Sequence, residues 1–162
     1  MFKGSFTALI TPFDKGEIVL KTYERLIQRQ IDEGTEGLVP CGTTGETPTF
    51  SEAEHLALVE CAVKTAAGQI PVLAGAGSNS TAKTIELAKK IEKLGVNGLL
   101  IVTPYYNKPP QEALFNHYKA IHDATDIPIL LYNVPGRTGI DMTAETVARL
   151  AELPRIVGIK DA

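Results

Sequence analysis

Short, almost continuously apolar bursts recur along this chain about every 30 residues, the length of one β-α unit. They run from Phe6 to Ile10, Gly37 to Pro40, Pro71 to Ala74, Gly98 to Val102, Pro128 to Tyr132 and Ile156 to Lys160. Strands covered on both faces read this way, because neither face needs a polar residue. Pro71 and Pro128 stand at strand entrances, where a missing N–H does little harm. Between the bursts lie helical patterns. Thr22 to Glu33 carries Leu26, Ile27 and Ile31 at helical spacing. Ser51 to Ala67 opens with Ser51 followed three residues later by Glu54, a capping-box signature. Thr81 to Leu94 places Ile85, Ala88, Ile91 and Leu94 on one face and stops at Gly95, a suitable residue after a helix end. Gln111 to Ala124 and Thr143 to Leu153 complete the series.

Six strands alternating with five helices predict a parallel sheet with right-handed crossovers. An open doubly wound sheet and a closed barrel both satisfy that pattern. A barrel needs eight units and about 250 residues. The chain has 162 residues and stops just after the sixth burst. The expectation is therefore one domain over 1–162, either an open sheet or a barrel lacking its last two units. In the second case two apolar sheet edges would be exposed.

Charge and composition exclude several classes of function. A net charge of −3 lacks the basic footprint of a nucleic-acid binder. Every apolar segment is interrupted by Lys, Asp or Glu before membrane-spanning length, and the N-terminus lacks a leader pattern. The expectation is a soluble cytoplasmic protein with no nucleic-acid or membrane partner. Cys41 and Cys61 form no C-x-x-C pair and read as buried, inert thiols. His55, His117 and His122 lack metal-ligand spacing and read as surface or partly buried residues.

In parallel α/β folds, function gathers at the carboxyl ends of strands. The second strand ends in Cys41-Gly42-Thr43-Thr44-Gly45-Glu46, the fourth in Thr103-Pro104-Tyr105-Tyr106-Asn107, the fifth in Tyr132-Asn133-Val134-Pro135-Gly136-Arg137, and the sixth in Lys160-Asp161. Lys160 closes a buried strand, where a poorly solvated amine becomes nucleophilic. Alone it would read as a rim lysine or a partner of Asp161; its neighbours at the rim shift the balance. Gly42 to Gly45 offers two hydroxyls and backbone N–H groups that suit a carboxylate or phosphate. Tyr132 is a candidate proton shuttle or a core aromatic. Arg137 is a candidate carboxylate clamp or a surface arginine.

Gly42-Thr43-Thr44-Gly45-Glu46, Thr103-Pro104-Tyr105-Tyr106-Asn107, Tyr132 to Thr138 and Gly158-Ile159-Lys160-Asp161-Ala162 resemble, in order, the motifs of the dihydrodipicolinate synthase and N-acetylneuraminate lyase superfamily. The resemblance covers the whole chain. It implies a (β/α)8 TIM barrel, of which the chain covers about the first six strands. It implies that Lys160 forms an imine with pyruvate and that Tyr132 moves protons. Thr43 matches a relay threonine bonded to that tyrosine, and Thr44 the threonine that holds the pyruvate carboxylate. Tyr106 matches a tyrosine that completes the relay across a dimer interface. Arg137 matches an arginine that binds the carboxylate of L-aspartate 4-semialdehyde in members that condense it with pyruvate for lysine biosynthesis; the sialic acid lyases generally lack it. Another pyruvate-dependent aldolase of the superfamily, or a non-catalytic fragment of such an enzyme, is the alternative. The chemistry implied needs no metal or organic cofactor, and the assembly implied is a homotetramer, a dimer of dimers. Pro48, His55, Asn79 and Tyr105 match positions near a lysine effector site. Lys83 stands where lysine-inhibited members carry a glutamate, and Glu52 where many carry a histidine. Lys83 would repel a lysine ammonium, which implies weak or absent feedback inhibition.

Overall fold

The computed structural model describes residues 2–162, which fall into two compact units. The first comprises the chain up to Gly75 together with Lys93–Asn97; the second comprises Ala76–Glu92 and Gly98–Ala162.

In the first unit, β1 (Phe6–Ala8) leads through β2 (Phe13–Asp14) and β3 (Glu17–Ile18) to helix α1 (Leu20–Asp32), then β4 (Gly37–Val39), helix α2 (Glu52–Ala66) and β5 (Leu73–Gly75). β1 pairs in parallel with β4, Phe6 opposite Gly37. β4 meets the approach to β5 through a parallel bridge between Leu38 and Val72, and Leu38 N–H donates to the carbonyl of Pro71. β2 and β3 form an antiparallel hairpin outside the predicted elements. Its loop, Lys15-Gly16, has φ of 50° and 89°, the positive pair that two-residue hairpin loops favour. No apolar run announces it, since Phe13 is its one large apolar residue besides Ile18.

The expected capping box at α2 is present. Ser51 Oγ accepts from the Glu54 N–H at 3.3 Å, and the Glu54 carboxylate accepts from the Ser51 N–H at 2.7 Å. Helices α1 and α2 pack together, burying Tyr23 and Ile27 from one and Leu58, Val59, Cys61 and Ala62 from the other. Ile27, Leu58 and Val59 are fully buried, and each such side chain contributes about 1.5–3 kcal/mol when removed from water.

In the second unit, α3 (Thr81–Glu92), β6 (Gly98–Val102), α4 (Gln111–Ala124), β7 (Ile129–Asn133), the single turn α5 (Pro135–Thr138), α6 (Ala144–Ala151) and β8 (Ile156–Asp161) follow in order. β7 lies between β6 and β8 and is parallel to both. Ile129 and Leu131 are buried, as a central strand requires. α4 packs on both α3 and α6. Its fully buried Tyr118 donates from the phenol to the Ile101 carbonyl at 2.9 Å. At the start of α4, Gln111 ties down the entry to α6: Nε2 donates to the Asp141 carbonyl, and Oε1 accepts from Thr146 at 2.7 Å. All six predicted strands and five predicted helices are present, with ends displaced by at most two residues.

Candidate functional site

The second unit brings Lys160 and Tyr132 together. They are direct partners across β7 and β8. Lys160 Nζ lies over the Tyr132 ring, 4.3 Å from its centroid. A cation over a tyrosine face at an exposed site is worth about 0.5–1 kcal/mol. Tyr132 is buried, but Lys160 is exposed, as are Ile159 and Asp161. The expectation of a poorly solvated lysine is thus not met. Among the described residues β8 is hydrogen-bonded to β7 alone, so no strand covers its outer edge.

Asn133, quoted in the sequence motif but assigned no role there, is the hub of this strand end. It is buried at 3 % exposure. Its Nδ2 donates to Asp141 Oδ1 at 2.7 Å and to Asp161 Oδ1 at 2.8 Å. Its Oδ1 accepts from the Met142 N–H at 3.1 Å, and its carbonyl accepts from the Ala162 N–H at 3.0 Å. Only a side-chain amide combines two donors and an acceptor in this compact form. An asparagine after a strand tyrosine carries no sequence signal for that role.

After Val134 the chain turns through α5. Arg137 lies exposed on that turn, which ends at Gly139 with φ 72°. In the loop after β6, the Asn107 N–H donates to the Tyr105 carbonyl at 2.9 Å, and Tyr106 between them has φ 73°. This is a γ-turn of the rare, strained, positive-φ kind. It holds Tyr106 at 88 % exposure. Backbone strain of this kind clusters at functional sites. Tyr105 is half-buried, and Asn107 Nδ2 donates to the Asn79 carbonyl at 3.1 Å. Lys83 is exposed on α3.

The first unit carries the threonine turn. Thr43–Gly45 is one turn of 3-10 helix in which the Gly45 and Glu46 N–H groups bond to the carbonyls of Gly42 and Thr43. The Gly45 N–H, one of those that the sequence offered, is therefore consumed inside the turn. Thr43 and Thr44 are exposed. Gly45 is a packing requirement rather than a flexible joint: a Cβ there would stand 3.1 Å from the Leu9 carbonyl oxygen. Thr11 Oγ1 donates to the Gly45 carbonyl, and Thr47 Oγ1 donates to that of Gly42, bracing the turn. Pro48 is exposed in the next 3-10 turn.

The histidines correct the sequence reading, since all three are buried. His55 Nε2 bonds the Gly75 carbonyl at 2.8 Å, and burial pulls its pKa below the usual histidine range. His117 Nδ1 bonds Thr81 Oγ1 at 2.8 Å, and burial lowers its pKa to about 4. His122 contacts Asp123 and Arg155. Each sits on the inward side of its helix, where its ring fills apolar space while one nitrogen meets a polar partner. Both cysteines are buried and free. Burial pushes the Cys41 thiol up to about 12 and also raises Cys61. Among the described residues no three His, Cys, Asp or Glu are grouped to hold a metal ion. No helix among them is long and apolar enough to cross a membrane.

The model of the Dihydrodipicolinate synthetase family matches residues 1–162 from end to end. The chain belongs to this family. A curated 4-hydroxy-tetrahydrodipicolinate synthase of Parvibaculum lavamentivorans is 57 % identical over all of the chain and 56 % of its own length. Among solved structures, the 4-hydroxy-tetrahydrodipicolinate synthase of Methylacidiphilum fumariolicum aligns over 100 % of this chain and 54 % of its own, with a TM-score of 0.98 and 50 % identity. The chloride-inhibited dihydrodipicolinate synthase of Acinetobacter baumannii, solved with pyruvate, aligns over 100 % and 56 %, with a TM-score of 0.98 and 48 % identity. The chain therefore spans a little over half the length of these relatives. Its fold class is the family's TIM barrel, and its six parallel strands with their helices form the N-terminal part of that barrel.

Proposed function

We propose that this chain carries the reacting residues of a 4-hydroxy-tetrahydrodipicolinate synthase. Such an enzyme condenses pyruvate with L-aspartate 4-semialdehyde through a Schiff base, a step of lysine and diaminopimelate biosynthesis. The observation that carries the reading is Lys160 Nζ lying 4.3 Å over the Tyr132 ring in a chain that the family matches throughout.

In this mechanism the neutral Lys160 amine attacks the pyruvate ketone carbon and water leaves as the imine forms. The iminium is an electron sink, so a methyl proton departs and an enamine results. The enamine carbon attacks the semialdehyde carbonyl, forming the new C–C bond. Tyr132 carries the protons, with Thr43 and a partner chain's copy of Tyr106 completing a hydroxyl relay. Hydroxyl groups move protons without placing a full charge beside the iminium. Thr44 holds the pyruvate carboxylate and Arg137 that of the semialdehyde. No metal or organic cofactor enters these steps.

The 88 % exposure of Tyr106 fits a residue that works in a homotetramer, a dimer of dimers in which it reaches a neighbouring site. The exposure of Lys160 fits the same idea, since further polypeptide against β8 would desolvate it. The setting proposed is the cytoplasm. Lysine feedback at Pro48, His55, Asn79 and Tyr105 is proposed to be weak, because Lys83 adds a repelling charge.

Incubation with pyruvate and borohydride, followed by peptide mass spectrometry, tests the reading. One carboxyethyl adduct on Lys160 is the expected result. Labelling spread over many lysines, or none on a folded chain, would refute it.

A further inference from the structure

The pairing of β7 with β8 contains a defect, and its position matters. Ile129 pairs with Ile156, but Leu130 pairs with Gly158, so Val157 is an extra residue on β8. Beyond it the register runs Leu131 with Ile159, Tyr132 with Lys160 and Asn133 with Asp161. Side chains alternate faces along a strand, so a one-residue slip sends every side chain to the opposite face. Without the bulge, Lys160 would pair with Asn133 and Ile159 with Tyr132. The amine would then emerge on the face of Asn133 and its two carboxylates, away from the phenol.

Two features lock the shifted register. At its start, a Cβ on Gly158 would stand 2.9 Å from Leu130 Cδ1, so the missing side chain gives Leu130 its space on the Tyr132 face. At its end, Asn133 binds Asp161 at 2.8 Å and the Ala162 N–H at 3.0 Å while its other amide hydrogen holds Asp141 at 2.7 Å. Asp161 is adjacent to Lys160 in sequence, so this clamp also keeps its carboxylate on the face opposite the amine.

We propose that Asn133 and the bulge at Val157 are positioning elements that deliver Lys160 to the ring of Tyr132. The Asn133 clamp grips one face of the β7–β8 ribbon, and the register it helps to fix is used on the other. Bulges beside reactive groups re-aim side chains in this way. Asn133 touches no reacting atom; it acts through Asp161. The inference rests on the Schiff-base reading for its consequence in catalysis, but its geometric content stands apart from that reading.

The test uses Asn133→Asp in the full chain. This change keeps size and the acceptor for Met142 while replacing both donors by a third carboxylate. Two readouts are taken on folded protein, judged by near-UV circular dichroism. The first needs no pyruvate: the Lys160 Cε protons, lying over an aromatic ring, are shifted upfield in the NMR spectrum of lysine-labelled chain. Asn133→Asp is expected to abolish that shift, and the swap Asn133→Asp with Asp161→Asn to restore most of it, since the hydrogen bond returns with its polarity reversed. The second is the rate of borohydride trapping of pyruvate. The maximal rate is expected to fall at least tenfold in Asn133→Asp, with the half-saturating pyruvate concentration unchanged, and to recover in the swap. If the unmodified chain shows the ring shift but traps no pyruvate, the Schiff-base reading fails while positioning stands or falls on the NMR result. If Asn133→Asp retains both the shift and the rate, or if the unmodified chain shows no shift, the positioning inference is overturned.

Discussion

Replacing Gly75 by alanine is a severe test of how the first unit is packed. A Cβ at this position would stand 2.0 Å from the Cys41 carbonyl oxygen, 2.7 Å from its carbon and 3.3 Å from the Gly42 nitrogen. All three obstacles are backbone atoms, so no rotamer change relieves them. To bring the first contact out to 3.0 Å, either the end of β5 or the Cys41 peptide must shift. Both are held. The Gly75 N–H donates to the Pro40 carbonyl at 3.0 Å, and its own carbonyl bonds His55 Nε2 at 2.8 Å. Cys41 already has φ 54° and leads directly into the threonine turn. Overpacking in such a place costs about 1–3 kcal/mol, and the upper part of that range applies because backbone must move. At roughly 2–4 °C per kcal/mol for a chain of this size, the melting temperature should fall by about 5–10 °C. Gly136→Ala is the control. Nothing lies within 4 Å of a Cβ there, and its φ is not positive, so the change should stay within about 0.5 kcal/mol. Thermal and urea unfolding of both variants, followed by circular dichroism, decides the matter. Equal melting temperatures for Gly75→Ala and Gly136→Ala would refute the packing argument.

Two further outcomes follow from buried titrating groups. Burial holds His117 at about pH 4 in the folded chain, against about 6.5 unfolded. The depressed value means that protons bind the unfolded chain more tightly, so this contribution is fully present above pH 6.5 and is lost as pH falls toward 4. The loss is on the order of 3 kcal/mol, and the variant His117→Asn should flatten the stability profile in that window; an unchanged slope in urea titrations would count against it. Cys41, pushed up to about 12 by burial, should resist a disulfide reagent at pH 8 at least about a hundredfold better in the native chain than in urea, because the thiolate is the attacking form. Equal rates, read by peptide mapping, would show that the thiol is not buried in solution.

Much of this architecture is legible in the residues. The two-sided apolar bursts mark the six parallel strands because burial on both faces removes the need for alternation. Ser51 and Glu54 mark the start of α2 because capping is local chemistry. Motif order was enough to name the family and to point to Lys160, Tyr132 and the threonine turn. What stayed hidden depends on neighbours remote in sequence. The β2–β3 hairpin has too few apolar residues to register. The histidines are buried by the helices and strands packed around them. Lys160 follows an apolar burst yet is exposed, since solvation depends on which strand lies alongside β8 and not on the residues before the lysine.

The pairing of β7 with β8 shows the division most clearly. Local chemistry dictates that Ile156 to Asp161 is a strand and that Lys160 and Asp161 point to opposite faces. It does not dictate which face meets Tyr132. That choice turns on one extra residue at Val157 and on an amide 28 positions earlier that grips Asp161. A strand's own sequence sets its conformation and its alternation. Register is a property of two strands and the side chains that pin them, so it arises only when distant parts of the chain have packed.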